Sequence, residues 1–221
     1  MVLAVSKVSL VIFDLDGTLV DSQQDLTSAV NFTRKYYGLE PLEVATVASY
    51  LGSGIPALVR SVLPNVDEKD IPNATVMFKE FYSKHLIDTT KTYSGVSEML
   101  SSLKDVRKAI LSNKSEKFSK DIIEKLGLKD FFDSIYGGDS FDEKKPSPRP
   151  IYEIMKSLSV KKENTIMVGD GANDIIAGKT ADIKTIAVLY GYSSKEKVEK
   201  IQPDFIAATP KDVVNIIRGI K

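Results

Sequence analysis

The run Val8-Ser9-Leu10-Val11-Ile12-Phe13 leads directly into Asp14-Leu15-Asp16-Gly17-Thr18, so that an apolar segment ends in two acidic residues. The apolar run predicts a buried strand. In an open α/β sheet, ligands bind at the carboxyl ends of the strands, which is where Asp14 and Asp16 fall. A strand end closed by turn-forming Asp and Gly is the alternative explanation. The two-residue spacing of the carboxylates favours a functional site.

The residue types at this strand end suit phosphoryl transfer. Carboxylate oxygens are hard ligands of the kind that Mg²⁺ prefers. One carboxylate can attack phosphorus and form an aspartyl-phosphate, and a second acid nearby can act as general acid and then as general base. Gly17 permits a turn that a residue with a Cβ resists, and Thr18 offers a hydroxyl and a backbone N–H to a phosphate.

A second predicted strand, Val106–Leu111, ends in Ser112-Asn113-Lys114, just before a predicted helix over Ser115–Leu126. A serine at this place can donate a hydrogen bond to a phosphoryl oxygen near the amino terminus of the helix. It can equally serve as the cap of that helix, and the residues alone leave both interpretations open.

Two lysines follow in Glu143-Lys144-Lys145-Pro146-Ser147-Pro148, ahead of a helical run from Pro150 to Leu158. A lysine here could neutralise a nucleophile and a phosphoryl group, although two lysines beside prolines also fit an ordinary solvated loop. The residues alone do not distinguish Lys144 from Lys145.

A third short strand, Thr165–Val168, runs into Gly169-Asp170-Gly171-Ala172-Asn173-Asp174. Asp170 and Asp174 therefore lie between the end of an apolar strand and the start of a helix. They could bind a metal ion, or they could form a strand–turn–helix junction with an Asp cap.

These four segments resemble, in order, the four motifs of the haloacid dehalogenase superfamily, whose members are mostly phosphatases. The resemblance covers essentially the whole chain. It implies an α/β fold with a Rossmann-like parallel-sheet core, with Asp14 as the nucleophile and Asp16 as the general acid and base. The family pattern Lys-Pro-x-Pro selects Lys145 over Lys144.

The resemblance also implies a metal and a phosphate site. Mg²⁺ would be held by Asp14, the backbone carbonyl of Asp16 and Asp170, with Asp174 acting through water or a hydrogen bond to a ligand. The phosphoryl oxygens would be held by Ser112 and Lys145, with backbone donors near Gly17, Thr18 and Asn113.

The hydrophobic periodicity divides the chain into a helix-rich block and an alternating region. Helices are predicted at Ser22–Tyr37, Glu43–Tyr50, Ile55–Leu63 and Glu68–His85. From Tyr93 onward strands and helices alternate, which favours βαβ units and a parallel sheet, and Asp204-Phe205-Ile206 could add an edge strand. We therefore expect a catalytic core over residues 1–19 and 91–221 and an inserted helical cap over 20–90. The cap resembles that of the dehalogenase and phosphoglycolate phosphatase branch, with hinges at the two crossings.

The helical block contains three further features of interest. Its segment Leu51-Gly52-Ser53-Gly54-Ile55-Pro56 is either a helix–helix turn or a loop that enters the cleft and offers backbone N–H groups to the substrate. His85, the one histidine, fits a structural place at a helix end. The aromatic residues of the block are expected in its core; they are Tyr36, Tyr37, Phe78, Phe81 and Tyr82.

Composition limits the possible partners. The 221 residues carry 30 basic and 30 acidic side chains, so no basic excess points to nucleic acid or to a membrane surface. With no cysteine and one histidine, a zinc site is improbable. Met1–Lys7 lacks the features of a signal peptide and no apolar run has the length of a membrane span, so we expect a cytoplasmic protein.

The expected function is that of a Mg²⁺-dependent phosphatase of small phosphorylated metabolites, most similar to phosphoglycolate phosphatase. A sugar phosphomutase, a pyrophosphatase or a nucleotidase of the same superfamily are the alternatives. The dehalogenase and phosphonatase branches lack the second aspartate, which is present here as Asp16. A non-enzymatic binding module is disfavoured because none of the motif residues is lost.

Overall fold

The structure is a computed structural model that describes residues 8–220. The expectation about a signal peptide concerns Met1–Lys7, which lie outside the described residues. The strands are β1 (Leu10–Phe13), β2 (Val20–Asp21), β3 (Lys91–Thr92), β4 (Arg107–Leu111), β5 (Ser134–Tyr136), β6 (Thr165–Gly169), β7 (Lys184–Val188) and β8 (Phe205–Ala207). The helices are α1 (Gln23–Tyr36), α2 (Val44–Ala48), α3 (Ile55–Val62), α4 (Ile71–Lys84), α5 (Val96–Ser102), α6 (Glu116–Lys125), α7 (Arg149–Ser157), α8 (Ala172–Thr180), α9 (Lys195–Lys200) and α10 (Pro210–Gly219).

Within residues 8–220, six strands form a parallel sheet in the order β5-β4-β1-β6-β7-β8. The central strand β1 pairs with β4 and β6, so that Phe13 lies beside Ile110 on one side and Val168 on the other. The chain therefore leaves all three strands at the same edge of the sheet. This confirms the expected α/β fold with β8 at the sheet edge.

Both faces of the sheet are covered by helices, which explains why β1 is apolar throughout. Val11 and Phe13 belong to one buried cluster, which also includes side chains of α5, α6 and α10. Leu10 and Ile12 point to the opposite face and pack in a second cluster with residues of α7 and α8. A parallel strand buried on both faces needs this unbroken apolar sequence.

The helices α1 to α4 follow β1 and form the expected helical cap, whose core differs in one respect from the prediction. Phe78 and Tyr82 are fully buried there, and Tyr37 and Phe81 are partly buried. Tyr36 is 70% exposed, so its expected place in the core is wrong. The buried face of α1 follows a helical spacing through Leu26, Val30, Thr33 and Tyr37, and Tyr36 lies beside that face.

The single helix predicted over Glu68–His85 is divided into a 3₁₀ turn at Glu68–Asp70 and the helix α4. The division falls just before Pro72, whose missing N–H and fixed φ suit the first turn of a helix. Among residues 8–220, we find no helix with both the length and the apolar character that a membrane span requires.

The two chain segments that cross between the sheet and the cap helices are hydrogen-bonded to each other. They pair as the antiparallel strands β2 and β3, which sequence periodicity does not reveal because each has only two residues. Beside them the carboxylate of Asp25 accepts hydrogen bonds from the backbone N–H groups and the hydroxyls of Thr89 and Thr90, at 2.6–3.1 Å. Asp25 thus ties the first turn of α1 to the returning chain.

Replacement of Asp25 by Ala is expected to lower the free energy of unfolding by about 3 kcal/mol at pH 7, since two backbone donors lose their acceptor. Burial alone would raise the pKa of Asp25, but the hydrogen bonds from Thr89 and Thr90 lower it. The carboxylate therefore stabilises the fold above its unfolded pKa of about 4, and this stability is lost as pH falls through the lower folded value.

Urea unfolding of the wild type and of Asp25→Ala at pH 7 and at pH 3 measures this difference. Asp142→Ala is the control, because the Asp142 side chain is 90% exposed. A loss in Asp25→Ala that matches the control, or that is as large at pH 3 as at pH 7, would contradict the prediction.

Candidate active site

A cleft lies between the carboxyl edge of the sheet and the cap helices. Its cavity measures about 250 Å³. The chain leaving β1, β4 and β6 contributes Asp14, Ser112 and Asp170, and the cap contributes Leu51 and Gly54. The expected site residues from three strand ends are thus brought to one cavity.

Three carboxylates converge at the floor of this cleft. Asp14, Asp170 and Asp174 each place one oxygen so that the three oxygens lie within 4.8 Å of one another. Asp14 follows β1 and Asp170 follows the adjacent β6. Asp174 lies in the first turn of α8, where its Oδ2 accepts the N–H of Gly171 at 3.1 Å.

Burial and mutual repulsion oppose the ionisation of this cluster. Burial, followed by the charge of Asp174, raises the pKa of Asp14 to about 7. Burial and the charges of Asp174 and Asp14 raise the pKa of Asp170 to about 8, against the N–H that Tyr192 donates to Asp170 at 2.7 Å. Each shift reports an unfavourable energy that a nearby positive charge would relieve.

Lys145 supplies one such charge from within the protein. Its Nζ lies 2.8 Å from Asp14 Oδ1 and 2.6 Å from Asp174 Oδ1, and its side chain is 2% exposed. Burial alone would lower the pKa of Lys145, but the two carboxylates raise it. Lys144 instead donates to the carbonyl of Ser53 at 2.7 Å. The geometry therefore brings Lys145, and not Lys144, to the nucleophile candidate.

The donor set fits a divalent cation that prefers oxygen. Three carboxylates against one ammonium leave an excess of negative charge in a buried place. The three converging groups are all hard oxygen ligands, which suits Mg²⁺. Asp14 and Asp170 are placed to bind it, while Asp174 is also engaged by Lys145.

The side chain of Asp16 points to other partners. Its Oδ2 lies 2.9 Å from Nζ of Lys114, and its Oδ1 accepts the hydroxyl of Ser22 at 2.5 Å. These contacts engage both carboxylate oxygens of Asp16 with protein donors. Lys114 was not identified as a site residue, because a single lysine between Asn113 and Ser115 has no periodicity or spacing that marks it.

The backbone N–H groups of Gly17 and Thr18, which are predicted phosphate donors, make local hydrogen bonds in this structure. The N–H of Gly17 donates to the carbonyl of Val20 at 2.9 Å, and that of Thr18 donates to the carbonyl of Leu15 at 3.3 Å. Thr18 is fully buried. Gly17 has φ +84° and a Cβ there would lie 2.5 Å from Asp170, so this position requires glycine for a tight turn against the acidic cluster.

Ser112 and Asn113 both line the cleft, as expected, and the two side chains form hydrogen bonds with different groups. The helix α6 is capped by Ser115, and the hydroxyl of Ser112 lies at the cleft, where it accepts the N–H of Lys114 at 3.2 Å. The side-chain amide of Asn113 donates to the carbonyls of Gly52 and Lys145 at 2.8 and 2.9 Å. Asn113 therefore links the cap to the lysine loop.

The loop at Gly52–Gly54 enters the cleft. The carbonyl of Gly52 accepts the side-chain amides of Asn113 and Asn173, and that of Ser53 accepts Lys144. This supports the interpretation as a cleft loop over that of a simple turn. Its contacts to the core use carbonyl oxygens as acceptors.

Two other cap residues make local contacts. Arg60 forms an exposed pair with Glu68, with Nη2 and Oε2 2.6 Å apart. His85 stacks on Phe81 and pairs with Asp88 at 2.7 Å.

Comparison with known proteins shows relatives along most of the chain. The sequence model of the haloacid dehalogenase-like hydrolase family matches residues 11–188. A phosphoglycolate phosphatase of Aquifex aeolicus is 38% identical over 209 residues, which cover 94% of this chain and 95% of that protein. One from Chromobacterium violaceum is 40% identical over 190 residues, 83% of this chain and 86% of that protein. The crystal structure of a predicted phosphoglycolate phosphatase from Haemophilus somnus superimposes with a TM-score of 0.90 at 28% identity, covering 94% of this chain and 97% of that one.

Replacement of Asp170 by Asn is expected to change stability in opposite directions with and without Mg²⁺. The folded pKa of Asp170 lies above the unfolded value, so ionisation destabilises the metal-free protein increasingly from about pH 4 to about pH 8. In EDTA at pH 8, Asp170→Asn should therefore melt at a higher temperature than the wild type. Saturating Mg²⁺ should stabilise the wild type by about 3 kcal/mol at a hundredfold excess over Kd, and the variant by much less.

Thermal melts across this pH range, with EDTA or with Mg²⁺, provide the measurement, and Asp142→Asn is the control for loss of one surface carboxylate. Retention of the full Mg²⁺-induced shift in Asp170→Asn would show that the metal binds elsewhere.

Proposed function

The chain belongs to the haloacid dehalogenase-like hydrolase family, and we propose that it is a phosphatase that hydrolyses 2-phosphoglycolate through a phosphoryl group carried on Asp14. The observation that carries the proposal is the position of Asp14. It lies at the end of the central strand, at the floor of the cleft, with Lys145 2.8 Å from its carboxylate. Relatives of that activity at 38% and 40% identity support it.

In the first half of the reaction, Asp14 attacks the phosphorus and the ester P–O bond breaks. The ammonium of Lys145 offsets the negative charge of the nucleophile and of the phosphoryl oxygens in the transition state. Asp16 gives its proton to the departing alkoxide, which leaves as glycolate. Ser112 lies at the same cleft, where its hydroxyl can donate to a phosphoryl oxygen.

In the second half, Asp16 accepts a proton from water while the water oxygen attacks the phosphorus. The bond between Asp14 and phosphorus breaks, inorganic phosphate leaves, and the carboxylate of Asp14 is restored. Asp16 ends the cycle protonated, ready for the next alkoxide.

Mg²⁺ would be held by Asp14, Asp170 and the carbonyl of Asp16, and when bound it supplies positive charge to the transferring phosphoryl group. Asp174 keeps Lys145 in place at 2.6 Å. The Gly52–Gly54 loop lines the cleft on the cap side, where it would limit the access of water to a bound phosphoryl group.

The choice of a small acidic substrate follows from the cleft. A cavity of about 250 Å³ has room for a phosphoryl group and a short acid. Lys145 and Lys197 also line the cavity and provide positive charge around the substrate. A bulky sugar or nucleoside would hold the cap loop away from the core.

Asp14→Asn is expected to lower kcat for 2-phosphoglycolate by on the order of 10³-fold or more with an unchanged fold, because the covalent route is lost. Lys145→Ala should lower kcat by about 10²- to 10³-fold through loss of charge stabilisation. Lys144→Ala is the matched control for Lys145, since the adjacent lysine contacts only the cap loop within this site. Steady-state phosphate release and circular dichroism provide the measurements. A tenth of wild-type activity in Asp14→Asn, or equal losses in the two lysine variants, would contradict the assignment.

Substrate choice is expected to depend on seating of the cap loop. Wild-type kcat/KM should be higher for 2-phosphoglycolate than for glucose 1-phosphate, pyrophosphate and a nucleoside monophosphate. Gly54→Ala should lower kcat/KM for 2-phosphoglycolate, because φ of Gly54 is +86° and the new Cβ would lie 2.9 Å from the carbonyl oxygen of Asn113.

Gly38→Ala is the matched control for this variant. Gly38 also has a positive φ, +67°, but its Cβ would meet nothing within 4 Å, so this variant places an alanine at positive φ without the clash. A preference for any of the three larger or inorganic substrates, or equal effects of the two substitutions on kcat/KM, would contradict the predicted role of the loop.

A further inference from the structure

Lys114 is a buried cation of the cleft that has no role in the reaction described above. Its side chain is 3% exposed. Its Nζ lies 2.9 and 3.1 Å from the two carboxylate oxygens of Asp16 and donates to the hydroxyl of Tyr82 at 3.0 Å. The ammonium also lies 4.8 Å from the centroid of the Tyr82 ring. One lysine therefore joins the acid–base candidate to a residue of the cap helix α4.

The contacts of Lys114 leave its ammonium little capacity for another ligand. A lysine has three N–H donors, and here two carboxylate oxygens and one phenol oxygen stand around them. The pKa of Lys114 is raised, since the charge of Asp16 outweighs the effect of burial. The geometry favours a lysine that orients Asp16 over one that binds a carboxylate of the substrate.

Asp16 is also held from its other side by the crossing into the cap. Ser22, which precedes α1, donates its hydroxyl to Asp16 Oδ1 at 2.5 Å. The backbone N–H of Ser22 donates to the hydroxyl of Tyr192 at 2.9 Å, and the N–H of Tyr192 donates to Asp170. Both supports of Asp16 thus lead to the cap, one through its first crossing and the other through α4.

We propose that Lys114 is a positioning residue for Asp16, and that its hold depends on Tyr82 being docked when the cap lies against the core. This inference rests on the proposed function, in which Asp16 protonates the leaving alkoxide. A carboxyl group two residues beyond the nucleophile can rotate about its side-chain bonds, and general acid catalysis requires it within hydrogen-bond reach of the leaving oxygen. Contacts on both of its oxygens restrict that rotation.

Leaving-group dependence tests this role directly. A basic alkoxide or phenolate needs the proton of Asp16, whereas p-nitrophenolate is weakly basic and leaves without it. We would measure kcat/KM, which reports the steps up to release of the alcohol, for a series of substituted phenyl phosphates that carry no carboxylate. The proteins are the wild type, Lys114→Met, Tyr82→Phe and the control Lys108→Met.

Lys108 provides a matched control because it is also a buried lysine of the same strand region. It lies in β4, is 4% exposed and donates to the carbonyls of Leu103 and Val106 at 2.8 and 2.7 Å. Its replacement removes a buried cation without touching Asp16. Tyr82→Phe removes one hydroxyl and keeps the ring, so it remains informative if Lys114→Met folds poorly.

In Lys114→Met, kcat/KM for phenyl phosphate should fall by about 10²-fold, the scale of general acid catalysis, while that for p-nitrophenyl phosphate changes little. The plot of log kcat/KM against leaving-group pKa becomes steeper. Tyr82→Phe should steepen it in the same direction and by less, and Lys108→Met should leave the slope unchanged.

Three results would overturn the inference. Equal losses across the series in Lys114→Met would make the lysine merely structural. A raised KM for 2-phosphoglycolate with an unaltered phenyl series would make it a site for the substrate carboxylate. An unaltered slope in Tyr82→Phe would remove the link to the cap. Failure of the proposed function is distinguishable, because the wild type would then fail to hydrolyse 2-phosphoglycolate, whereas the inference is judged on the slope of the phenyl series.

Discussion

The architecture of the cleft depends on the burial of three carboxylates close to one another. Asp14, Asp170 and Asp174 converge within 4.8 Å because β1 and β6 are adjacent parallel strands that end in register, Phe13 beside Val168. Left to themselves these carboxylates repel each other and lose their hydration, as the raised pKa values of Asp14 and Asp170 report. One buried lysine offsets part of that charge. The negative charge that remains favours the binding of a cation and of a substrate that together complete the charge balance. Binding and catalysis therefore depend on the same electrostatic constraint.

Charge is divided between two neighbouring sets in the cleft. Lys145 is the counterion of Asp14 and Asp174, whereas Lys114 is the counterion of Asp16. The nucleophile candidate Asp14 and the acid–base candidate Asp16 are two residues apart in sequence, yet their side chains have separate counterions on separate loops. This separation lets the two carboxylates do different work, because the environment of each can be set without disturbing the other.

Sequence periodicity predicted the sheet and most helices because the strands are buried on both faces and the helices expose one polar side. It failed where the outcome depends on contacts between distant segments. The pair β2–β3 is too short to show a period, and Tyr36 was assigned to the core on its chemistry although it lies off the buried face of α1. At the site, the resemblance to the family motifs singled out the candidate residues, but Lys114 meets partners at Asp16 and Tyr82 that only the fold brings near. The local hydrogen bonds of the Gly17 and Thr18 N–H groups also depend on the folded turn, so the spacing of the motif does not reveal them.

The cap loop shows how recognition can arise without a charged cap residue. Three donors of the core, on Asn113, Asn173 and Lys144, reach carbonyl oxygens of Gly52 and Ser53. Two of these donors neighbour site residues, because Asn113 follows Ser112 and Lys144 precedes Lys145. The free energy of seating the cap loop therefore depends on the placement of the same core loops that carry Ser112 and Lys145. In the proposed phosphatase, a substrate too large for the cleft would break these hydrogen bonds and leave the site open to water, so selection by size would need no charged residue of the cap.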